Sequence, residues 1–165
     1  MQAEALEITL GRLLRGAGWT LAVAESCTGG LLSHRITNVP GSSAYFLGGV
    51  VAYAYDAKEH VLGVSHATLY DYGAVSEETA REMARGVRRL LGADLSIAVT
   101  GIAGPGGGLP DKPVGLVYIA LSARRAESCQ RFVWSGDRES NKWQSSEAAL
   151  QMLVDYLRGQ GGGRG

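Results

Sequence analysis

The chain has 165 residues, 45% of them hydrophobic and 19% charged, so it is long enough to fold as one domain around a substantial core. Acidic and basic residues number 16 each, which argues against nucleic-acid binding through a general excess of positive charge. No apolar run approaches the roughly 18 residues of a membrane span, and the N-terminus lacks the basic and apolar regions of a signal peptide. We therefore expect a cytoplasmic protein that binds neither nucleic acid nor membrane.

The first half of the chain predicts strands that alternate with helices. Leucines at helical spacing predict a helix over 6–17, and a short apolar run predicts the first strand over 20–24. A second helix follows that strand to about Thr37. An apolar stretch with β-branched and aromatic residues predicts a second strand over 45–53, and a short helix follows over 56–62.

The second half of the chain repeats this alternation. Ser76 is the predicted N-cap of a helix that Gly92 ends, because two glutamates occupy its first turn. Three further strands are predicted, over 95–99, 114–122 and 128–134. A long loop rich in glycine and proline fills 100–113, and a last helix is predicted from about Arg138 to Leu157.

These elements predict an α/β protein, a three-layer α/β/α sandwich with a mixed, mostly parallel sheet of about five strands. The short connection between the last two strands requires at least one antiparallel pair. We expect a single domain over residues 1–158. A flexible tail is expected over 159–165, because five of these seven residues are glycine.

The sequence Ala-Glu-Ser-Cys-Thr-Gly-Gly over 24–30 lies at the junction of the first strand and the second helix. Ser26 should expose its hydroxyl at the C-terminal edge of the sheet. Thr28, Gly29 and Gly30 should present backbone N–H groups at the positive end of the helix dipole. This arrangement suits an anion, either a phosphate or the oxyanion of acyl transfer. A glycine-rich turn that caps an ordinary helix explains the same stretch equally well.

The cysteines and histidines do not predict a metal site. Cys27 and Cys129 are too few for a disulfide framework or a metal cluster, and the three histidines lack the spacing of a zinc motif. We expect no metal and no cofactor. Cys27 is interpreted as a small packing residue rather than as a nucleophile.

Lys58 is the candidate base for Ser26. The segments that follow the first three strands should meet at one edge of the sheet, and Lys58 lies in the second of them. A neutral lysine can take the proton of a serine hydroxyl, as in the serine–lysine variants of the catalytic triad. From spacing alone, a solvated lysine on a short helix is the better interpretation, and Tyr53 is a packing residue.

The third segment supplies candidates for ligand binding. Thr100, Gly101 and Gly104 lie in a loop that has no Walker motif, but its glycines permit a close approach of the backbone to a ligand. Lys112 follows in the same loop. Arg138 opens the last helix, where a cation is electrostatically unfavourable, so binding an anion and simple surface decoration are about equally good interpretations.

Seven motifs in order resemble the CinA C-terminal domain family and cover about residues 5 to 157. They are 24–30, Gly41-Ser42-Ser43, Tyr53 with Ala57-Lys58, 73–76, 100–105, 112–115 and Gly136-Asp137-Arg138. The chain begins close to the start of the family domain, so it resembles the stand-alone form. Active members of the family are nicotinamide-nucleotide amidases.

The resemblance implies a fold in which one strand runs antiparallel. It implies hydrolysis of nicotinamide mononucleotide to nicotinic acid mononucleotide and ammonia, in the recycling of pyridine nucleotides and NAD. By motif position, the catalytic residues are Ser26 as nucleophile, Lys58 as base and Tyr53 in support. It also favours a homo-oligomer, specifically a dimer, with a small nucleotide as substrate.

The substrate contacts follow from the same resemblance. The N–H groups around Thr28, Gly29 and Gly30 should hold the oxyanion or the phosphate, and Thr100, Gly101 and Gly104 should border the substrate. The candidates for binding the phosphate are Lys112, Arg138 and Lys142.

The sequence departs from the family at two positions. Asn141-Lys142 stands where the family often has Val-Arg, and lysine lacks the bidentate fork of arginine. Tyr55 stands where a small or polar residue is common. Two other functions are considered: a non-catalytic nucleotide-binding module of the same fold, and a serine amidase for a different small amide.

Overall fold

The computed structural model describes residues 3–161 and contains one five-stranded sheet with helices on both faces. The strands are β1 (Leu21–Glu25), β2 (Phe46–Val51), β3 (Leu95–Gly101), β4 (Leu116–Ala123) and β5 (Glu127–Val133). The helices are α1 (Leu6–Ala17), α2 (Leu31–Thr37), α3 (Tyr55–His60), α4 (His66–Tyr72), α5 (Glu77–Leu91) and α6 (Arg138–Gly161), with a 3₁₀ turn at Ser42–Ala44.

The sheet has the order β2-β1-β3-β4-β5, and only β4 runs against the others. The parallel strands β2, β1 and β3 therefore end at the same edge, where ligands bind in sheets of this kind. The predicted α/β fold with one antiparallel strand is confirmed. Within the described residues, no helix is both long enough and apolar enough to cross a bilayer.

Alternation along the central strands divides the core into two layers. Leu21 and Val23 of β1 pack with α1, α2 and α6 on one face of the sheet. Ala22 and Ala24 face α5 on the other. Small side chains on that second face allow α5 to lie close to the strands. Gly86 of α5 has no space for a Cβ because the carbonyl of Leu62 occupies it.

Two features differ from the predicted elements. The sequence did not predict α4, which is short but has a defined start, since the side chain of Ser65 accepts a hydrogen bond from the N–H of Thr68. Helix α6 continues to Gly161, so residues 159–161 are helical rather than part of the predicted tail. The rest of that tail, residues 162–165, lies outside the described residues.

Candidate active site

Ser26 and Lys58 meet at the edge where the parallel strands end. The Nζ of Lys58 lies 2.8 Å from the Oγ of Ser26. It also donates to the carbonyl oxygens of Ala52 at 2.8 Å and Tyr53 at 3.0 Å. The turn after β1 positions the serine, while α3 brings the lysine back beneath the end of β2. The structure therefore brings together the two residues that spacing alone had left apart.

Lys58 is 1% exposed although it is a lysine. Burial disfavours its charged form and lowers the pKa of its amine from 10.5 to about 8. Within residues 3–161, no carboxylate forms a hydrogen bond or ion pair with it that would oppose this shift. Lys58 is therefore still mostly charged near neutral pH, but it has a minor neutral fraction that can accept a proton, and this fraction grows steeply as the pH approaches 8.

Cys27 lies beside Ser26 but is a poor nucleophile. It is buried, and desolvation raises the pKa of its thiol to about 12. The reactive thiolate is therefore almost absent at neutral pH. The geometry agrees with the interpretation of Cys27 as a packing residue.

Glu25 occupies the start of α2, where the sequence predicted free N–H groups. This fully buried carboxylate accepts hydrogen bonds from the N–H groups of Leu32 at 2.8 Å and Ser33 at 3.0 Å. It also accepts from the hydroxyl of Ser33 at 2.7 Å. An internal anion thus already neutralises the positive end of this short helix. Sequence reasoning missed this role, although a glutamate just before a strand-to-helix junction is a usable signal.

The predicted contacts of Thr28, Gly29 and Gly30 change accordingly. The N–H of Gly29 donates to the carbonyl of Ser26, and the N–H of Leu31 donates to that of Thr28. Thr28 is buried, and all three residues lie outside the walls of the cavity around Ser26. The turn therefore contributes to the site mainly by holding Ser26 and Cys27 in position. Only some of its N–H groups remain for a ligand.

A cavity of about 240 Å³ adjoins Ser26 and Lys58. Loop residues after β3 form much of its wall, including the predicted Thr100, Gly101 and Gly104. The hydroxyl of Thr100 donates to the carbonyl of Ala74 at 2.7 Å and so fixes the opposite wall. These three residues thus line the cavity beside Ser26, and their contact with a substrate stays a prediction.

Arg138 connects Tyr53 to Gly104, in the glycine-rich loop that follows β3. Its guanidinium donates to the carbonyl of Gly104 at 2.7 Å and to the hydroxyl of Tyr53 at 3.2 Å. Tyr53 is 62% exposed and borders the cavity. Its carbonyl contacts Lys58 directly, whereas its hydroxyl contacts Arg138, so the two polar groups of Tyr53 serve different parts of the site.

A larger cavity of about 780 Å³ shares Arg138 with the smaller one. Lys142 and Trp143 of α6 line it together with Leu31. Trp143 rests on the buried guanidinium of Arg35, 4.1 Å from the ring centroid. Sequence reasoning missed this support. Two predicted phosphate-binding cations, Arg138 and Lys142, thus face one space next to the Ser26 cavity.

Lys112 lies apart from both cavities. Its Nζ donates to the carbonyl of Tyr72 at the end of α4. The structure therefore gives no support to its predicted contact with phosphate. Tyr55 is nearby, since its hydroxyl accepts from the N–H of Ala74 at 3.2 Å. This unusual tyrosine buttresses a cavity wall without entering the cavity.

Comparison with known proteins identifies the family. A model of the CinA C-terminal domain matches residues 3–157, and the chain belongs to this family. A protein of Moorella thermoacetica described as competence-damage inducible is 54% identical over 157 residues, which are 95% of this chain and 38% of the relative. A CinA-like protein of Thermotoga maritima is 48% identical over 157 residues, with the same two shares. The chain thus spans less than two fifths of the length of these relatives.

Solved structures agree with this assignment. The crystal structure of a competence-damaged protein (CinA) superfamily protein from Klebsiella pneumoniae has a TM-score of 0.90 at 38% identity, covering 93% of this chain and 96% of that one. The competence/damage inducible protein of Agrobacterium tumefaciens has a TM-score of 0.88 at 39% identity, with coverages of 96% and 98%. The family resemblance that the motifs indicated is confirmed.

Proposed function

We propose that the chain is an amidohydrolase that converts nicotinamide mononucleotide to nicotinic acid mononucleotide and ammonia. The observation that carries this proposal is the 2.8 Å contact between the buried Nζ of Lys58 and the Oγ of Ser26. A protein that only binds a nucleotide has no need of a desolvated lysine beside a serine. The choice of substrate rests on the resemblance to the amidases of the family.

The contacts of Lys58 favour its action as a base. A neutral amine has two N–H donors and one lone pair, and the carbonyls of Ala52 and Tyr53 accept the two donors. The lone pair is then left for the hydroxyl proton of Ser26. Lys58 takes this proton as the Oγ of Ser26 attacks the carboxamide carbon.

The oxyanion that forms requires hydrogen-bond donors. The N–H groups of Gly29 and Leu31 are excluded because they donate to main-chain carbonyls. The turn after Ser26 also contains the N–H groups of Cys27, Thr28 and Gly30, and of these three residues Cys27 lines the cavity, so we assign the oxyanion to the N–H of Cys27.

The intermediate collapses when the C–N bond breaks and the Lys58 ammonium gives its proton to the departing nitrogen, which leaves as ammonia. Lys58 is then neutral again. It takes a proton from a water molecule, whose oxygen attacks the acyl carbon, and returns that proton to the Oγ of Ser26 as the ester bond breaks. The product is nicotinic acid mononucleotide, whose carboxylic acid gives its proton to the released ammonia and leaves as the carboxylate.

The two adjoining cavities suit the two ends of the substrate. The carboxamide must lie in the smaller cavity, next to Ser26. The phosphate then lies toward Arg138 and Lys142, the cations of the larger cavity. Arg138 borders both cavities, so it can hold the phosphate arm while its contacts with Gly104 and Tyr53 keep it in place.

Ammonia release from nicotinamide mononucleotide, with chromatographic identification of nicotinic acid mononucleotide, tests this proposal. Nicotinamide riboside, which lacks the phosphate, is the matched control substrate and should react much more slowly. Release of ammonia only from other small amides would replace the substrate but keep the mechanism. Binding of the nucleotide without ammonia release would favour the non-catalytic module instead.

A further inference from the structure

A second group of arginine and aromatic side chains, which could bind a ligand, lies at the edge of the sheet opposite Ser26. Leu95 at the start of β3 pairs with Ala123 at the end of β4. The β4–β5 turn, the end of α5 and the residues before β1 therefore meet at this edge. Two cavities of about 470 and 400 Å³ lie there, and Arg124 and Arg125 line both.

The first of these, the arginine cavity, is lined by five arginines, Arg85, Arg88, Arg89, Arg124 and Arg125. Arg85 pairs with Glu127, and Arg124 pairs with Asp94 at 3.3 Å. Within residues 3–161, the guanidinium groups of Arg89 and Arg125 form no hydrogen bond or ion pair. Five arginines and the two carboxylates that pair with them leave an excess of positive charge at one place on a chain without net charge, and a bound anion would reduce the remaining repulsion.

The position of two arginines at the end of a helix explains only part of this cluster. Arg88 and Arg89 stand in the last turn of α5, where cations interact favourably with the helix dipole. Arg124 and Arg125 lie in a turn between strands and have no such explanation. Arg88 is also oriented, since its Nε donates to the buried hydroxyl of Ser122 at 3.1 Å and its terminal N–H groups remain for a ligand.

The second of these, the aromatic cavity, offers a different surface. Trp19 and Tyr156 line it, with ring centroids 6.2 Å apart and ring planes inclined by 40°. Both rings are half-buried, so each keeps some surface for contact. Gln160 supplies an amide that can hydrogen-bond the edge of a planar heterocycle. An aromatic ligand group therefore has contacts beside the shared arginines.

We propose that these two cavities form a binding site for a nucleoside polyphosphate. The base occupies the aromatic cavity, and the phosphates extend past Arg124 and Arg125 to Arg88 and Arg89. Guanidinium groups bind phosphate oxygens in bidentate fashion, and each cavity has the size of a small-molecule site. The two cavities are confined to one end of the sheet, and the chain has zero net charge. Both features favour a small nucleotide over nucleic acid, which requires a continuous basic surface.

Calorimetric titration with ATP tests the site, and inorganic tripolyphosphate serves as the ligand without a base. The double variant Arg89→Ala/Arg125→Ala should bind ATP at least about tenfold more weakly, because it removes two charge-assisted contacts. Arg131→Ala is the matched control, since Arg131 is exposed on β5 and lines neither cavity. It should change the affinity less than about twofold, because surface substitutions away from a site have small effects. Melting temperatures verify that each variant is folded.

Tryptophan fluorescence tests the placement of the base. ATP should quench the emission of wild-type protein more than tripolyphosphate does, and Trp19→Phe should remove that difference. Equal affinity for ATP and tripolyphosphate would overturn the assignment of the aromatic cavity. No binding of ATP, equal losses in the control variant, or tighter binding of single-stranded DNA that depends on the same arginines would overturn the nucleotide site. None of these outcomes depends on amidase activity.

Discussion

Glu25 and Ser26 are adjacent in the chain, and their side chains act on different partners at the same junction. The carboxylate of Glu25 accepts the N–H groups that begin α2, while the hydroxyl of Ser26 meets Lys58. The backbone at this junction is hydrogen-bonded to both neighbouring strands. The N–H of Ser26 donates to the carbonyl of Val99 in β3 at 2.9 Å, and the carbonyl of Glu25 accepts from the N–H of Ala52, just after β2, at 2.8 Å. The proposed nucleophile is thus fixed by contacts that do not involve a substrate.

Replacing Glu25 should destabilise the protein. Glu25→Ala leaves the N–H groups of Leu32 and Ser33 without their acceptor, and we expect a loss of about 3 kcal/mol in the free energy of unfolding. Glu25→Gln keeps the size and one acceptor oxygen, so it should lose less. Urea denaturation measures both variants. A loss below about 0.5 kcal/mol for Glu25→Ala, the range of ordinary surface substitutions, would show that water replaces the carboxylate.

Ser26→Ala should lower ammonia release from nicotinamide mononucleotide by several orders of magnitude, as loss of the nucleophile does in serine hydrolases. Cys27→Ala is the control and should retain most activity, because the raised thiol pKa keeps Cys27 protonated. Rates measured with enzyme in excess over substrate detect the low residual turnover of Ser26→Ala. Loss of activity in Cys27→Ala together with retention in Ser26→Ala would exchange the two roles.

The activity should rise with pH through the titration of Lys58. Only the neutral amine accepts a proton, and burial lowers its pKa to about 8. The profile of kcat/KM should therefore ascend around that value rather than near the roughly 10.4 of a free lysine. Lys58→Arg keeps the charge but does not deprotonate in this range, so it should be nearly inactive and lack the ascending limb. Near-normal turnover by Lys58→Arg would show that Lys58 serves only as a fixed charge.

The same shift should make stability depend on pH. Because the pKa of Lys58 is lowered in the folded state, the unfolded chain binds more protons between pH 8, approximately, and the ~10.4 of an unfolded lysine. Wild-type protein should therefore gain stability relative to Lys58→Met as the pH rises through this window. Denaturation of both proteins across the window isolates the contribution of this amine. A constant difference would indicate that Lys58 has an ordinary pKa in the folded protein.

Tyr53→Phe separates the two contacts of Tyr53. The main-chain carbonyl still accepts from Lys58, while the hydroxyl that accepts from Arg138 is lost. We expect KM for nicotinamide mononucleotide to rise about tenfold with a smaller change in kcat, since one hydrogen bond to a charged group is removed. A fall in kcat of several orders of magnitude, with KM unchanged, would instead assign proton transfer to the hydroxyl.

Much of the fold followed from local patterns. Alternating strands and helices indicated the three layers, and the short connection at residues 124–126 required an antiparallel pair. Helix α4 escaped detection because seven residues show too little periodicity, although Ser65 marks its start. The final glycines misled the prediction, since Gly159 and Gly161 continue α6 in spite of their low helix propensity.

The site was less accessible to sequence reasoning. The contact between Ser26 and Lys58 joins residues 32 positions apart. The strand order made Lys58 a candidate base, but only the resemblance to a family favoured it over a solvated lysine. Spacing alone cannot show that Lys58 is buried, because burial depends on how α3 packs under the end of β2. Arg35 and its contacts with Glu7 and Glu147 escaped notice for the same reason. Partners from distant elements become visible only when the layers are assembled.

The single antiparallel strand determines how far Arg138 reaches. β4 carries the chain away from the edge that holds Ser26, and β5 returns it, so Arg138 arrives beside Gly104 after two crossings of the sheet. Each residue of a strand advances the chain by about 3.3 Å, and a slip of one residue turns the following side chains to the other face. The pairing of Leu116 with Val133 therefore fixes where the chain after β5 begins and how far Arg138 lies from the loop of Gly104. This distance sets one dimension of the cavity. Natural variants that lengthen or shorten this hairpin unequally would alter ligand size without changing any residue that touches the ligand.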